Sequence, residues 1–147
     1  MAVHINKYRL KMDDIEGGRW IEFGEGLEFK LAHIGSNKCV NLINKKREAL
    51  IESKLEELKK DNEDATVDDV KITTDEFNQI TCEVIAEAVI LDWRGLVDED
   101  GEIPFNRELA LDIMTNDEFV ELATMIFTHA KNRDNYKYEI TQKAKKK

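Results

Sequence analysis

The stretch that decides the fold is residues 73–95, TTDEFNQITCEVIAEAVILDWRG. Thr73, followed three residues later by Glu76, forms a capping box, which starts a helix by satisfying two of its free backbone N–H groups. Apolar residues then occupy two faces of that helix: Phe77, Ile80, Val84, Ala88 and Leu91 on one, and Cys82, Ile85, Ala86, Val89, Ile90 and Trp93 on the other. A helix that is apolar on two faces is buried. The pattern therefore predicts a central helix that ends at Gly95.

Two further helices are predicted after a loop at residues 97–105. A short helix covers about 107–114, and a second capping box, Thr115 with Glu118, starts a helix over about 116–132. The apolar residues of this last helix recur at i, i+3, i+4, i+7, i+8 and i+11, which is the strongest amphipathic pattern in the chain. They are Phe119, Leu122, Ala123, Ile126, Phe127 and Ala130. Residues 73–134 are therefore expected to form the helical core.

A β-hairpin and a long helix are predicted before this core. Residues 19–33 contain two alternating runs around a three-residue Gly-Glu-Gly loop, which is typical of a hairpin. Ser36 is a suitable N-cap for a helix over residues 36–60. Its apolar stripe is Ile43, Leu50, Ile51, Leu55 and Leu58. Because the stripe is narrow in the second half, we expect that half to project from the body.

The predicted fold class is mainly α (small α+β), with the N-terminal hairpin packed on a bundle of about four helices. A chain of 147 residues is expected to form a single domain, 1–147, that buries roughly two-thirds of its unfolded surface. Residues 1–18 show no period and are expected to be irregular. Residues 61–72 are interpreted as an acidic linker, and residues 135–147 as a basic, flexible tail.

The net charge of −9 is unevenly distributed. From Lys131 to Lys147 there are seven basic and two acidic side chains, or +5, so that residues 1–130 carry −14. An acidic body stays soluble and repels nucleic acid. No stretch approaches the roughly 18 apolar residues of a membrane span, and because the first residues lack an apolar h-region, we expect no signal peptide. We therefore expect neither nucleic acid nor a membrane as a partner, and the host cytoplasm as the location.

The residue types that usually carry chemistry are scattered. The three histidines lack metal-ligand spacing and the two cysteines form no CxxC pair; these residues are His4, His33, His129, Cys39 and Cys82. Residues 96–107 partly match a calcium-binding loop, but Leu96 and Arg107 stand where it needs an acid and a bidentate glutamate. A tight Asp-Gly turn is the simpler interpretation. The sequence predicts a protein that is not an enzyme and has no catalytic, cofactor or metal site.

Residues 75–138 carry a distinctive order of features. A helix ends in Trp93-Arg94-Gly95, an acidic glycine turn and Ile103-Pro104-Phe105 follow, and then come a short helix, an acidic-capped helix and a polar aromatic end. This order resembles the tail assembly chaperones of long-tailed bacteriophages, in which a segment of the form W.g..d.dG.plpf precedes helices of this kind. The hairpin RWIEFGEGLEFKL, residues 19–31, before a long helix also agrees with that family in outline.

The resemblance implies a chaperone that binds the phage tape measure protein, helps recruit tail tube subunits and is absent from the mature virion. In that family the tail tube protein is recruited by a longer, frameshifted form, and the run Lys145 to Lys147 is compatible with an A-rich slippery site. A helical client would bind exposed apolar side chains between helices. The candidates are Leu50, Ile51, Leu55, Leu58, Trp93, Phe105, Tyr136 and Tyr138.

Alternatives remain open at this point. The leucine and isoleucine stripe could serve self-association, giving a homo-oligomer, and Trp93 and Phe105 could be core residues. The whole protein could instead be a structural head–tail joining or minor tail component, which would co-purify with virions. It could also be an acidic phage-encoded inhibitor of a host protein. A DNA mimic of that kind needs acids over one surface, whereas acids alternate with lysines from Asn44 to Lys60.

Overall fold

The computed structural model of the chain describes residues 1–139. The α-helices in this part are α1 (Met12–Gly17), α2 (Asn37–Lys59), α3 (Thr74–Val84), α4 (Arg107–Thr115) and α5 (Val120–Lys131). The strands are β1 (Arg19–Gly24), β2 (Leu27–Leu31), β3 (Ile90–Arg94), β4 (Val97–Asp98) and β5 (Gly101–Glu102). A π-helical turn, Ile85–Val89, joins α3 to β3.

The predicted fold class, mainly α, is wrong, because the fold is mixed α+β with two small antiparallel sheets. The larger sheet has the order β1-β2-β3, and β4 pairs with β5 in the smaller one. The difference lies in the stretch predicted as one central helix. There the α-helix ends at Val84, and Ile90–Arg94 is a strand whose Trp93 pairs with Phe29 of β2.

The physical reason for this change is the free edge of β2. Phe29 and Leu31 are fully buried, so unpaired backbone N–H and C=O groups beside them would be costly. A two-stranded hairpin is also only marginally stable. The run around Val89 and Ile90 is apolar and β-branched, and such a run suits a buried strand as well as a buried helix. Pairing with β2 therefore decides its structure.

Two predictions about helix starts are confirmed, one is wrong, and residues 1–18 are not irregular throughout. Ser36 caps α2, and Thr73 with Glu76 forms the capping box of α3. However, residues 12–17 form α1 instead of an irregular segment. Thr115 does not cap the last helix, because it is the last residue of α4 and its hydroxyl donates to the Leu111 carbonyl at 2.7 Å. Its neighbour Asn116 caps the 3-10 turn Asp117–Phe119 that leads into α5, whereas Phe119, the N-cap residue of α5, makes no side-chain cap hydrogen bond.

Leu31, the last residue of β2, and the three residues after it form hydrogen bonds with four different parts of the chain. We call residues 31–34 the β2 exit. The partners, in order of residue, are the Tyr136 hydroxyl at 3.1 Å and the carbonyls of Val89 at 2.9 Å, Ile15 at 3.0 Å and Ala130 at 3.1 Å. The β2 exit thus ties the sheet to the π turn, to α1, to α5 and to the segment after α5.

The segment after α5 is ordered as far as the structure describes it. Of the predicted basic tail, 135–147, residues 140–147 lie outside the described part. Leu10 and Lys137 form an antiparallel bridge, with the Lys11 N–H donating to the Tyr136 carbonyl at 2.6 Å. Tyr136 itself is fully buried, so the prediction of a flexible tail is wrong for residues 135–139.

Replacing Tyr136 by phenylalanine keeps the ring but removes the hydroxyl that donates to the Leu31 carbonyl. We expect the free energy of unfolding to fall by about 1–3 kcal/mol, because a buried acceptor loses a partner. Urea denaturation measures this change. Tyr8→Phe is the control: its ring is exposed, so a change within about 0.5 kcal/mol is expected. Equal stability of Tyr136→Phe and wild type would contradict the role of this bond.

A second prediction concerns Gly95, which follows β3 with φ +81°. A Cβ there would clash with the carbonyl of Gly26 in the β1–β2 turn. Gly26 has nearly the same φ, +82°, but a Cβ on it would meet no heavy atom of the described residues within 4 Å. Gly26→Ala should therefore cost only the backbone strain, about 1–2 kcal/mol, and Gly95→Ala clearly more in urea denaturation. Equal costs would show that the two turns do not touch.

Candidate protein-binding site

An open groove of about 380 Å³ lies between α3 and the first half of α5, and we call it the α3–α5 groove. Its walls are mostly apolar. They are formed by Asn78, Thr81, Cys82, Ile85, Met114, Thr115, Asn116, Asp117, Val120, Ala123, Thr124 and Phe127. Grooves of this kind, flanked by two helices, are where proteins bind the apolar face of another helix.

The groove exists because α3 has more apolar surface than its neighbours cover. Ile80 and Val84 are buried in the core, while the side that carries Thr81 and Cys82 remains half-buried. On α5, Ile126 is buried, and Ala123 and Phe127 are half-buried beside the groove. Val120 stands at its rim with 62% of its surface exposed. Side chains that are apolar and still accessible favour binding of a partner.

The charges around the groove are unequal at its two ends. Asp117 lines it in the turn just before α5, and the exposed Glu118 and Glu121 follow within four residues. At the other end, the Lys131 ammonium lies 4.9 Å from the centre of the Phe127 ring. A partner with basic residues beside its apolar ones would therefore be favoured at the acidic end.

A second, larger groove of about 660 Å³ lies on another side of α3, and four charged side chains line it. Lys46 of α2 lies 3.8 Å from the carboxylate of Glu83 and 3.7 Å from that of Glu87. Arg107 donates to the carbonyls of Ala86, at 2.9 Å, and Ile90. It thereby satisfies carbonyls at the C-terminal end of the π turn. The two cations of this groove thus serve the fold, which leaves the α3–α5 groove as the stronger candidate.

The aromatic residues predicted as client contacts are mostly structural. Trp93 and Tyr136 are 4% and 0% exposed, so neither can contact a client in this conformation, and we correct their assignment. Trp93 faces inward because β3 pairs with β2, and its indole N–H donates to the Ile103 carbonyl at 2.9 Å. Phe105 packs edge-on against Trp93 with ring centroids 4.9 Å apart. Tyr138 is half-buried and carries the Arg9 guanidinium 4.3 Å from its ring centroid.

The predicted stripe on α2 is also more covered than expected. Leu50, Ile51 and Leu55 are half-buried, and only Leu58 is exposed, at 40%. The second half of α2 does not project, because the acidic segment 61–72 folds back along it. Within that region, the Lys54 ammonium donates to the Lys71 carbonyl at 2.8 Å and pairs with Glu76.

None of the eight predicted residues lines the α3–α5 groove. The signal that could have found it is the second apolar face of the segment that begins with α3, in particular Cys82 and Ile85, together with Ala123 and Phe127 of the amphipathic last helix. Sequence periodicity identifies such faces but not which of them a neighbour covers. The groove is therefore a product of the packing.

Neither cysteine thiol lies in an environment that favours formation of the reactive thiolate. Burial raises the pKa of Cys39 to about 11, and it also raises the pKa of Cys82, with a further contribution from Glu83. Both thiols are therefore protonated near neutral pH, and Cys82 contributes a small apolar surface to the groove. Within residues 1–139, no three His, Cys, Asp or Glu side chains are placed to hold a metal ion. Over the same residues, no helix has the length and apolarity to cross a membrane.

His33, in the β2 exit, has an unusual environment. Its Nδ1 accepts from the Gly35 N–H at 2.8 Å, whereas its Nε2 is buried and has no hydrogen-bond partner of good geometry among the described residues. Burial lowers the pKa of His33; the Lys131 carbonyl partly offsets this effect and Arg133 adds to it. The ring also packs edge-on against Tyr136, with centroids 5.1 Å apart.

This environment predicts a pH dependence of stability. Because the pKa of His33 lies below its ordinary value of 6.5, the unfolded chain binds more protons between the two values. The contribution of neutral His33 is complete above pH 6.5 and is lost as the pH falls towards the folded-state pKa. Urea denaturation between about pH 7 and about pH 5 should show a smaller decline for His33→Gln than for wild type.

The matched control for this measurement is His4→Gln. The Nδ1 of His4 also accepts from the backbone N–H two residues later, at 3.1 Å, but its ring is exposed. His4→Gln should keep the wild-type decline. Identical pH dependence in all three proteins would contradict the assignment to His33.

The α3–α5 groove lies in the part of the chain that matches a known protein family. The family described as YdaY prophage protein matches residues 43–147, which contain most of α2 and every described element after it. The hairpin and α1 precede the matched part. No curated protein and no solved structure matches the chain.

Proposed function

Since the chain belongs to the YdaY prophage protein family and is therefore phage-derived, we propose that it is a tail assembly chaperone that binds the phage tape measure protein. The observation that carries this proposal is the α3–α5 groove, an accessible apolar surface on a strongly charged molecule. It lies entirely within the family-matched part. The proposed role includes no catalysis and no cofactor, and it is exercised in the host cytoplasm, where tails assemble.

The groove suits the apolar face of an amphipathic helix. On α5, Val120, Ala123 and Phe127 are spaced i, i+3 and i+7 along one face, and Thr81 and Ile85 are spaced i and i+4 in and after α3. These two ridges leave a channel in which anchor side chains at i, i+3 and i+4 of a third helix can pack. A tape measure protein is a long, helix-prone chain with many such segments, so a shallow and adaptable groove is appropriate.

The charge of the molecule supports the same role. Residues 1–130 carry −14, and mutual repulsion between such bodies keeps complexes with an aggregation-prone client soluble. The acidic end of the groove, at Asp117, favours segments in which lysine or arginine flanks the apolar anchors. Recruitment of tail tube subunits is assigned in this proposal to a longer, frameshifted form.

The test is co-expression with the longest helix-rich protein encoded by the same prophage, followed by capture of the present chain. Wild type should keep that large protein soluble and co-purify with it. Val120→Asp should reduce the recovered partner about tenfold or more, because burial of a valine side chain contributes about 1.5–3 kcal/mol. Asp in the first turn of a helix is favourable, so α5 should remain stable.

The matched control is Val97→Asp. Val97 is 65% exposed and Val120 is 62% exposed, but Val97 lies on β4, outside the groove. This control should behave as wild type. If Val120→Asp retains the partner and Leu58→Asp loses it, the chaperone role stands and the surface is wrong. If the partner stays insoluble and the chain is found in purified particles, a structural role replaces the proposal.

A further inference from the structure

The first twelve residues form an exposed apolar segment, which we call the N-terminal arm. Five of its large hydrophobic side chains are more than half exposed: Met1, Val3, Ile5, Tyr8 and Met12. Its base, residues 10–12, is fixed to the body by the bridge between Leu10 and Lys137 and by the start of α1 at Met12. Beyond that base, residues 1–9 contribute no buried side chain to the fold. A cluster of apolar side chains that the fold does not use indicates an interaction surface.

The charge of the arm is opposite to that of the body. It contains Lys7, Arg9 and Lys11 and no acidic residue, which gives +3. Because residues 1–130 carry −14, residues 13–130 carry −17. A basic apolar segment therefore stands beside a strongly acidic body, and the surface that complements it in both respects is apolar with an acidic rim.

The α3–α5 groove is such a surface. Its walls are mostly apolar, Asp117 lines one end, and the exposed Glu118 and Glu121 follow Asp117 within four residues of the chain. We propose that the arm of one copy of this chain binds in the α3–α5 groove of a second copy. Each copy has one arm and one groove, so a reciprocal exchange closes into a twofold dimer. This pairing requires only these two surfaces and does not rest on the proposed chaperone role.

A second copy of the chain is a better binding partner for the arm than a lipid surface or a nucleic acid. An anionic membrane or a phosphate backbone would attract Lys7, Arg9 and Lys11 but would repel the −17 of residues 13–130. Within the dimer both charges are used, because each arm neutralises part of an acidic body. If the groove is also the client site, the arm and the client compete for it; only this last consequence depends on the proposed function.

Sedimentation equilibrium of the full chain, without any client, tests the pairing. Wild type should form a dimer. Raising the salt concentration from about 0.05 M to about 0.5 M should increase its dissociation constant, because salt screens exposed opposite charges. Ile5→Asp with Tyr8→Asp should weaken the dimer at least about tenfold, because apolar burial is lost. Both side chains are exposed in the single chain, so circular dichroism should be unchanged. Val97→Asp is again the control and should dimerise as wild type.

A charge exchange makes the test specific for the two partners. Lys7→Glu with Lys11→Glu should weaken the dimer, and so should Glu118→Lys with Glu121→Lys. An equimolar mixture of these two double variants should recover a mixed dimer, because the acidic arm then meets a basic groove. Simple damage to either surface would not be repaired in this way.

Three results would overturn the proposal. The chain could sediment as a monomer at every concentration up to about 100 μM, which would leave any association weaker than about 5 kcal/mol. The arm variants could dimerise as strongly as wild type, which would place the interface elsewhere. The chain could be monomeric and float with phosphatidylserine vesicles through Ile5 and Tyr8, which would make the arm a lipid-binding segment.

Discussion

The structure depends on the burial of β2 and on the hydrogen bonds that its exit makes. Phe29 and Leu31 are fully buried, and buried backbone groups need partners. β1 and β3 satisfy the two edges of the strand, and residues 31–34 then bind Val89, Ile15, Ala130 and the Tyr136 hydroxyl. Helices from both ends of the chain are thereby held against one short strand. The bridge of Leu10 with Lys137 follows from the same arrangement, since Tyr136 is its neighbour.

The same constraint produces the groove. Because β2 takes Ile90–Arg94 as its third strand, α3 ends at Val84 and the chain passes through a π turn, a structure that is frequent near functional sites. The connection then leads through β4 and β5 to α4 and α5, and α5 reaches the side of α3 that the sheet and α2 leave uncovered. Ile85 is buried in the core and forms the base of the channel, and the half-buried Phe127 forms part of its wall.

The accessible apolar surface of the molecule lies away from most of the residues predicted to contact a client. Trp93 and Tyr136 belong to the core, and the α2 stripe is partly covered by the segment that follows it. Accessible apolar surface is found instead beside Val120 and on the N-terminal arm. The membership in a prophage protein family is consistent with partners encoded by the same phage. An acidic body, an apolar groove and a basic apolar arm are together suited to binding proteins.

The sequence by itself determined the local features of this protein. The caps at Ser36 and Thr73 were predictable because a cap depends on residues within one helical turn, and the charge distribution depends on composition alone. The fold class and the groove were decided by the tertiary structure. The run after Val84 suits either a helix or a strand, and only the free edge of β2, more than fifty residues earlier, selects the strand. Likewise, periodicity marked Cys82 and Phe127 as apolar, but whether an apolar face becomes core or groove depends on which neighbours reach it.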